Sequence, residues 1–238
     1  MTPEFFPENI HVISTKRYLT EKPKVFSSGF DSFNIAEHVE DDPERVFDNR
    51  EKLVKYFDLP GEPRYLNQIH SDKCLTFDAS ECEGDAIYTN KRNQVCAILT
   101  ADCLPIFLTD NYGHEVAVIH AGWKGLLKGV IEETIKSFNS KNLVAHFGPA
   151  ISQNNFEVGD EVMHQYISKD NIFTSSFRTI SDKHYLDLYS AAKLVLNSFD
   201  IYKISGGTEC TFMQKNEYFS YRRDAKNSGR MANLIWIN

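Results

Sequence analysis

The stretch VCAILTADCLPIFLTDNYGHEVAVIHAGWKG, residues 95–125, decides the fold of this chain. It holds two short apolar runs that are separated by TADC, and a third run, VAVI, that follows the NYGH turn. Continuous apolar runs of this length are typical of strands that are covered on both faces. We therefore predict three neighbouring buried strands in this part of the chain.

The third predicted strand ends in His120, and burial of an imidazole without a partner costs about 2 kcal/mol or more. Two further borderline or soft metal ligands lie at predicted strand ends, His70 after LNQI and Cys103 within TADC. Because zinc prefers imidazole nitrogen and thiolate sulfur, the three residues predict a metal site whose fourth position is open to water. The residues alone leave one alternative open, in which Cys103 is a small buried hydrophobe and both histidines bond to backbone carbonyls.

The rest of the chain carries further helix and strand patterns. Helices are predicted for VEDDPERVFDNREKLVKYFDL, beginning near Asp42, and for WKGLLKGVIEETIKSF, EVGDEVMHQYI and LDLYSAAKLVLNSF. Strands are predicted for PRYLNQIH, GDAIYTN, NLVAHFGP, EYFSYRRD and ANLIWIN, whereas KRYLTEKPKVFSSGF has a turn-like composition. Since no linker or repeat interrupts these elements, we expect one mixed α/β domain over residues 1–238.

Composition and charge argue against several functional classes. The 238 residues carry a formal net charge of −7, whereas general nucleic-acid binding depends on lysines and arginines that neutralise phosphates. No segment approaches the roughly 18 uninterrupted apolar residues of a membrane span, and the N-terminus MTPEFFPENI does not have the pattern of a signal peptide. The odd number of cysteines, five, favours reduced thiols. We expect a cytoplasmic protein without nucleic-acid or membrane partners.

Six segments of the chain resemble one known family. They are LNQIHSDKC, EGDAIYTN, TADCLPIFL, VAVIHAGWKGLLKGV, HFGPAISQNNFEVGDEV and CTFMQKNEYFSYRRDAKNSGRMANLIWI. In this order they are similar to the multicopper polyphenol oxidoreductase (laccase-like) family, since described as zinc-dependent purine nucleoside phosphorylases with adenosine deaminase activity. The resemblance begins near Asn34 and implies an α+β fold, with mixed β-sheets of one domain in a layered α/β/β/α arrangement.

The resemblance also implies the site and its chemistry. The metal ligands of the family fall on His70, Cys103 and His120, and they imply Zn²⁺ as the cofactor, with copper the less expected metal. The implied reactions are phosphorolysis of adenosine, inosine, guanosine or methylthioadenosine to the base and ribose 1-phosphate, and deamination of adenosine. The expected partners are therefore a small-molecule nucleoside and phosphate, and the oligomeric state is left open.

Acidic residues near the three ligands are candidates for proton transfer. Zinc nucleoside deaminases use an acidic proton shuttle that is not itself a metal ligand. Asp102, beside the thiol in TADC, and Asp85, in EGDAIYTN, are our candidates for this role. For each of them a turn or strand-end carboxylate is the alternative.

Basic residues are candidates for binding the phosphate. We expect Lys124, Arg222 and Arg223 to hold it, although the family usually has arginine at the first of these positions and a lysine lacks the bidentate fork. Paired arginines near a chain end are often a solvated surface, which is the alternative for the last two. His146, in VAHFGPA, is a further candidate for lining the pocket, with a buried structural histidine as its alternative.

Other functional classes compete with the metalloenzyme. In a metal-independent cysteine hydrolase or amidase, Cys103 would be the nucleophile and His120 or His70 its base, and activity would survive chelators. Copper oxidation requires a His₂Cys site and a further multi-copper cluster, and eight histidines without a His-x-His pair argue against it. A module that only binds a partner protein would leave the three residues without a purpose.

Overall fold

The computed structural model describes residues 3–20, 29–30 and 33–238. Its strands are β1 (Ile10–Ser14), β2 (Cys74–Thr76), β3 (Ala86–Thr89), β4 (Cys96–Thr100), β5 (Leu104–Asp110), β6 (Val116–Ala121), β7 (Leu143–Phe147), β8 (Glu157–Val158), β9 (Phe177–Ile180), β10 (Lys183–Leu186), β11 (Ile204–Gly206) and β12 (Met231–Ile237). Its helices are α1 (Pro43–Tyr56), α2 (Trp123–Lys128), α3 (Val130–Lys136), α4 (Asp160–Lys169), α5 (Leu188–Ser198) and α6 (Tyr221–Asp224). The turn-like segment KRYLTEKPKVFSSGF spans residues 16–30, and its residues 21–28 lie outside the described part of the chain.

Two larger sheets face each other across an apolar interior. One is antiparallel with the strand order β1-β12-β4, and the other is mixed with the order β11-β7-β5-β6-β3-β2. Ile98 and Ile235 of the first sheet pack against Ile87, Phe107 and Val118 of the second. Because the central strands β5 and β6 are covered on both faces, they are buried at every residue and their apolar residues form continuous runs rather than alternating with polar ones.

Helices cover the outer face of each sheet. Leu53 of α1 packs with Leu99 and Trp236 on the three-stranded sheet, whereas α2, α3 and α5 pack on the six-stranded sheet, for example through Leu126 and Ile131. The layers are therefore α/β/β/α, which confirms the predicted α+β class with mixed sheets. None of the helices in the described part of the chain has the length and apolar character needed to cross a bilayer.

The predicted start of the first helix is confirmed. The carboxylate of Asp42 accepts the backbone N–H of Glu44 at 3.0 Å, and Pro43 occupies the first helical position, where a missing N–H has no cost. The next prediction, one helix over WKGLLKGVIEETIKSF, is wrong in one respect. The chain ends α2 and begins α3 at Gly129, whose φ of 104° favours glycine because a side chain would be strained there.

Two predicted strands are absent from the described structure. PRYLNQIH pairs with its neighbours only through isolated bridges, such as Arg64 with Cys96, and the Gln68 side chain takes over the pairing with Leu99 by donating to its carbonyl and accepting its N–H. The last four residues of EYFSYRRD form the short helix α6, whose first turn is capped by the Ser220 hydroxyl, which accepts the N–H of Arg223. Both strand predictions were wrong because a side chain forms hydrogen bonds with backbone groups that a neighbouring strand would otherwise pair with.

Candidate metal centre

The three residues singled out by chemistry lie together. The ligand atoms of His70, Cys103 and His120 are within 4.8 Å of one another, and Sγ of Cys103 is 3.9 Å from Nε2 of His70. Two ligands of a tetrahedral zinc ion lie about 3.5 Å apart, so a small closure brings all three onto one ion. Within the residues that the structure describes, no second group of three or more potential metal ligands is found.

The sheet register and a turn bring these ligands together. In the β5–β6 ladder Leu104 pairs with Ala121, so the residue before β5, Cys103, lies beside the end of β6 where His120 is located. His70 comes from a turn in which its own φ is 56°, a left-handed conformation that is uncommon for a residue with a side chain. The ammonium of Lys128 in α2 donates to the carbonyl oxygen of His70 at 2.9 Å and holds this turn in place.

Asp85, immediately before β3, organises two of the ligands and is fully buried. Its carboxylate lies 2.8 Å from Nδ1 of His120 and accepts the N–H groups of His70 at 3.0 Å and Ser71 at 2.6 Å. Burial alone would raise the pKa of this carboxyl, but the hydrogen bonds from His120 and Ser71 outweigh it and lower the pKa to about 2. The bond to Nδ1 leaves Nε2 of His120 as the ring nitrogen that is free to bind a metal.

In the absence of a metal, electrostatics favour the charged forms of the Cys103 thiol and the His120 imidazole. Burial would raise the pKa of Cys103, but the charge of His120 and hydrogen bonds from His120 and His70 lower it. Burial would lower the pKa of His120, but the Cys103 thiolate and the Asp85 carboxylate raise it. Cys103 is therefore disposed to be a thiolate, which is the form that coordinates metals and attacks electrophiles.

Gly122 leaves the space that the cluster occupies. A Cβ at this position would lie 2.9 Å from Sγ of Cys103 and 3.0 Å from Cδ2 of His70, closer than side-chain carbons approach such atoms. The φ of Gly122 is −69°, so the backbone itself does not require glycine. The glycine of the HAGW segment is therefore required by the close approach of two ligands and not by a turn conformation.

Asp102 lines the cavity next to Cys103, and its carboxylate is hydrogen-bonded to the C-terminal part of the chain. It accepts the hydroxyls of Thr211 at 2.6 Å and Ser220 at 3.0 Å and the N–H of Arg222 at 2.6 Å, and it is buried, with a φ of 89°. These bonds attach the C-terminal segment that contains α6 to the loop between β4 and β5. Asp102 therefore positions Arg222 relative to Cys103.

A cavity of about 560 Å³ opens beside the three ligands. Aromatic and aliphatic side chains line part of it, and they include Trp123, Ile151, Phe156 and Leu188. Polar and charged side chains line the remainder, and they include His38, Arg222 and Arg230. This volume falls within the roughly 300–1,000 Å³ that is usual for small-molecule sites, and the mixture of an apolar wall with a few polar groups is also typical of them.

The four residues that were predicted to bind phosphate or to line the pocket differ in their position relative to the cavity. Arg222 lines the cavity, and its guanidinium donates to the carbonyl of Glu157 at 3.0 Å and lies over the ring of Phe156. Lys124 is exposed, with its ammonium 5.4 Å from the ring centroid of Trp123.

Arg223 and His146 do not line the cavity. The guanidinium of Arg223 donates to Asp224 and to the carbonyl oxygens of Thr211, Phe212 and Tyr218. Nδ1 of His146, on β7, lies 2.9 Å from the hydroxyl of Ser205 on the neighbouring strand, and burial lowers the pKa of this histidine.

Two cavity residues, His38 and Arg230, were not singled out from the sequence. Arg230 directly precedes the apolar run of β12, and it is thus a polar residue at a strand boundary, as Cys103 is. That signal could have identified Arg230. His38 lies in an irregular segment after buried Ile35 and Ala36, where no periodic pattern marks it.

Comparisons with known proteins identify a family and several relatives of this chain. A model of the family described as multi-copper polyphenol oxidoreductase laccase matches residues 16–238. A Haemophilus influenzae protein named purine nucleoside phosphorylase is 43% identical over 238 residues, with 97% of this chain and 96% of the relative covered. The purine nucleoside phosphorylase YfiH of Escherichia coli is 40% identical over 213 residues, with 87% of each chain covered.

Solved structures show the same fold. A Neisseria meningitidis protein superimposes with a TM-score of 0.89 at 37% identity, covering 98% of this chain and 96% of its own. YlmD from Geobacillus stearothermophilus superimposes with a TM-score of 0.84 at 24% identity, covering 100% of this chain and 94% of its own. The second similarity concerns the fold alone.

Proposed function

The chain belongs to the multi-copper polyphenol oxidoreductase laccase family, and from this membership and its cavity we propose that it is a purine nucleoside phosphorylase. The observation that carries the proposal is the cavity of about 560 Å³, in which His70, Cys103 and His120 lie beside an apolar wall. A flat purine fits such a wall, and Trp123 offers it an aromatic face. Adenosine, inosine, guanosine and methylthioadenosine are the substrates we propose.

The proposed reaction transfers the ribosyl group to phosphate. A phosphate oxygen forms a bond to C1′ of the ribose while the C1′–N9 bond breaks, and its electron pair leaves with the purine. The purine takes up a proton, and the products are the free base and ribose 1-phosphate. Positive charge develops on the ribose and negative charge on the base, so the site must hold an anion on one side and donors on the other.

We propose Zn²⁺ as the metal that His70, Cys103 and His120 hold. The donor set of two imidazoles and a thiolate suits zinc, and a single group of this kind within the described residues does not provide the several sites of a multi-copper oxidase. When bound, the ion supplies Lewis acidity and lowers the pKa of a coordinated water. We also propose adenosine deamination in this cavity, in which water replaces the C6 amino group and ammonia leaves with inosine as product.

We propose positioning roles for Asp85 and Asp102, the two candidates for proton transfer. Asp85 orients the His120 ring and the turn of His70, and Asp102 holds the backbone of Arg222. Each carboxylate accepts at least three hydrogen bonds from inside the protein, which supports a positioning role. Arg222, at the cavity, remains a candidate for binding phosphate.

A metal-independent cysteine hydrolase is the second candidate, and one observation favours it. Asp85, His120 and Cys103 form a chain of orienting acid, base and thiol, which is the arrangement of an activated nucleophile. We further propose a cytoplasmic location, because all five cysteines are free thiols and reducing compartments preserve that state.

The test uses protein of measured metal content, incubated with adenosine and phosphate, followed by separation of the products. Adenine with ribose 1-phosphate supports phosphorolysis, and inosine supports deamination. Hydrolytic activity that survives the removal of metal by a chelator supports the metal-independent cysteine hydrolase. The absence of all these products from zinc-loaded, folded protein contradicts both proposed nucleoside reactions. A Cys82→Ser variant is the control for Cys103→Ser, since Cys82 is an exposed thiol outside the cavity.

A further inference from the structure

Arg230 places a positive charge at the cavity, and within the described residues no carboxylate forms a direct ion pair with it. Its side chain is half-buried, and Nη1 donates only to the carbonyl oxygens of Ser228 at 2.5 Å and Gly229 at 3.0 Å. Among the described residues, Nε and Nη2 have no hydrogen-bond acceptor, and no carboxylate lies within ion-pair distance. Burial lowers the pKa of this guanidinium, and the negative charges of Cys103 and Asp102 act against that effect. A half-buried cation without a direct ion pair is stabilised when an anion binds beside it.

The other two arginines near the cavity differ from Arg230. Arg223 uses its whole guanidinium on Asp224 and on backbone carbonyls, so it has no donor left for a ligand. Arg222 is exposed and donates to the carbonyls of Asn155 and Glu157. Arg230 also lines the cavity, and only Nη1 of its guanidinium is used for hydrogen bonds to the protein, at a residue that is half-buried rather than exposed.

His38 lies on the same wall and is attached to Arg230 through the backbone. The N–H of Arg230 donates to Oδ1 of Asn34 at 2.9 Å, and its carbonyl accepts the N–H of Ile35 at 3.4 Å. These bonds hold the segment that carries His38 beside the start of β12. The His38 ring lines the cavity, and it has no hydrogen-bond partner among the described residues.

The chemistry of the Arg230 guanidinium and the His38 imidazole indicates which part of the substrates they contact. A planar guanidinium with a free edge matches two oxygens of a phosphate, and an imidazole adds a further donor. Purine and ribose are uncharged, and the apolar wall that includes Trp123 and Leu188 suits the base. We propose that Arg230 and His38 form the subsite that binds inorganic phosphate, an inference that rests on the proposed phosphorolysis.

The direct test is the binding of inorganic phosphate to zinc-loaded protein without nucleoside, measured by calorimetry. Arg230→Gln removes a charged hydrogen-bond donor and is expected to weaken phosphate binding about tenfold to hundredfold. Arg230→Lys keeps the charge but loses the fork, so its affinity should fall between those of the wild type and Arg230→Gln. His38→Gln should weaken binding less than Arg230→Gln. Arg92→Gln, a change of equal charge at an exposed residue outside the cavity, should leave the affinity unchanged.

Steady-state kinetics separate this subsite from the proposed function. Arg230→Gln should raise the KM for phosphate and leave the KM for the nucleoside within about twofold of its wild-type value. Unchanged phosphate affinity in Arg230→Gln, with wild-type zinc content and melting temperature, would overturn the proposal, as would a rise confined to the nucleoside KM. If no nucleoside is cleaved by the wild type, the proposed function fails, but loss of phosphate binding in Arg230→Gln still supports the subsite.

Discussion

One carboxylate oxygen of Asp85 lies 2.8 Å from Nδ1 of His120, and the same oxygen accepts the N–H of His70 at 3.0 Å. A single buried side chain therefore sets the ring orientation of one metal ligand and the backbone position of another. Because 15 residues separate Asp85 from His70 and 35 separate it from His120, this relationship depends on the strand order.

Asp85→Asn should weaken zinc binding by about 10- to 100-fold, which is the usual effect of removing the partner of a ligating histidine. The amide retains one acceptor oxygen, but its NH₂ group would face the N–H of Ser71, which donates to Asp85 at 2.6 Å. Competition with a chromophoric chelator measures the affinity. An unchanged zinc affinity in folded Asp85→Asn would show that the carboxylate does not orient His120.

Cys103→Ser should abolish stoichiometric zinc binding, since a neutral hydroxyl is a far poorer ligand than a thiolate. Metal analysis after dialysis against a weak chelator provides the measurement. Cys82→Ser, at an exposed thiol, is the matched control and should retain the metal. Full zinc content and turnover in Cys103→Ser would reject the ligand set.

Gly122→Ala should reduce metal affinity more than it reduces stability. The new Cβ would lie 2.9 Å from Sγ of Cys103, so the thiol must move away from the position shared with the two histidines. The φ of −69° accepts alanine, and backbone strain therefore contributes little. Zinc affinity and the melting temperature, measured on one preparation, distinguish the two effects. A variant that melts much earlier but binds zinc normally when folded would contradict this interpretation.

Asp102→Ala should destabilise the protein by about 1–3 kcal/mol, because buried donors of Thr211 and Ser220 lose their acceptor. Asp102→Asn retains one acceptor and should have a smaller effect. Urea unfolding measures both free energies. A loss below roughly 0.5 kcal/mol in Asp102→Ala, the range of ordinary surface substitutions, would mean that these hydrogen bonds do not hold the C-terminal segment.

Glu115 should contribute stability that depends on pH. Burial would raise the pKa of this carboxyl, but hydrogen bonds from Asn139, Tyr88 and Ser140 lower it below the ordinary value of 4.5. A carboxyl with a depressed pKa in the folded state stabilises the protein above pH 4.5, and this contribution is lost as the pH falls through the lower folded pKa.

Glu115→Gln should therefore reduce stability at pH 7 and flatten the loss of stability below pH 4.5. Chemical unfolding at a series of pH values measures the effect. Glu81→Gln, at an exposed residue, is the control and should follow the wild-type curve. Parallel curves for wild type and Glu115→Gln would contradict the role given to these hydrogen bonds.

The sequence identified most of the central fold because its signals there are local. The apolar runs around TADC and before HAGW became β4, β5 and β6, and Asp42 with Pro43 began α1 as predicted. PRYLNQIH and EYFSYRRD were misread as strands because Gln68 and Ser220 satisfy backbone groups with their side chains. Residue composition alone does not report such bonds.

The sequence by itself determined the chemistry available to this protein: two imidazoles and a thiol at the ends of apolar segments, in a chain that resembles one family from about Asn34 onward. Only the tertiary structure decided that Asp85 and Asp102 hold other residues in position, that Gly122 makes room for the ligands, and that Arg230 faces the cavity. The physical reason is the separation along the sequence of the residues that interact. Apolar periodicity is set by neighbours a few positions away, whereas a bond such as that between Ser220 and Asp102, 118 residues apart, exists only after the sheets have packed.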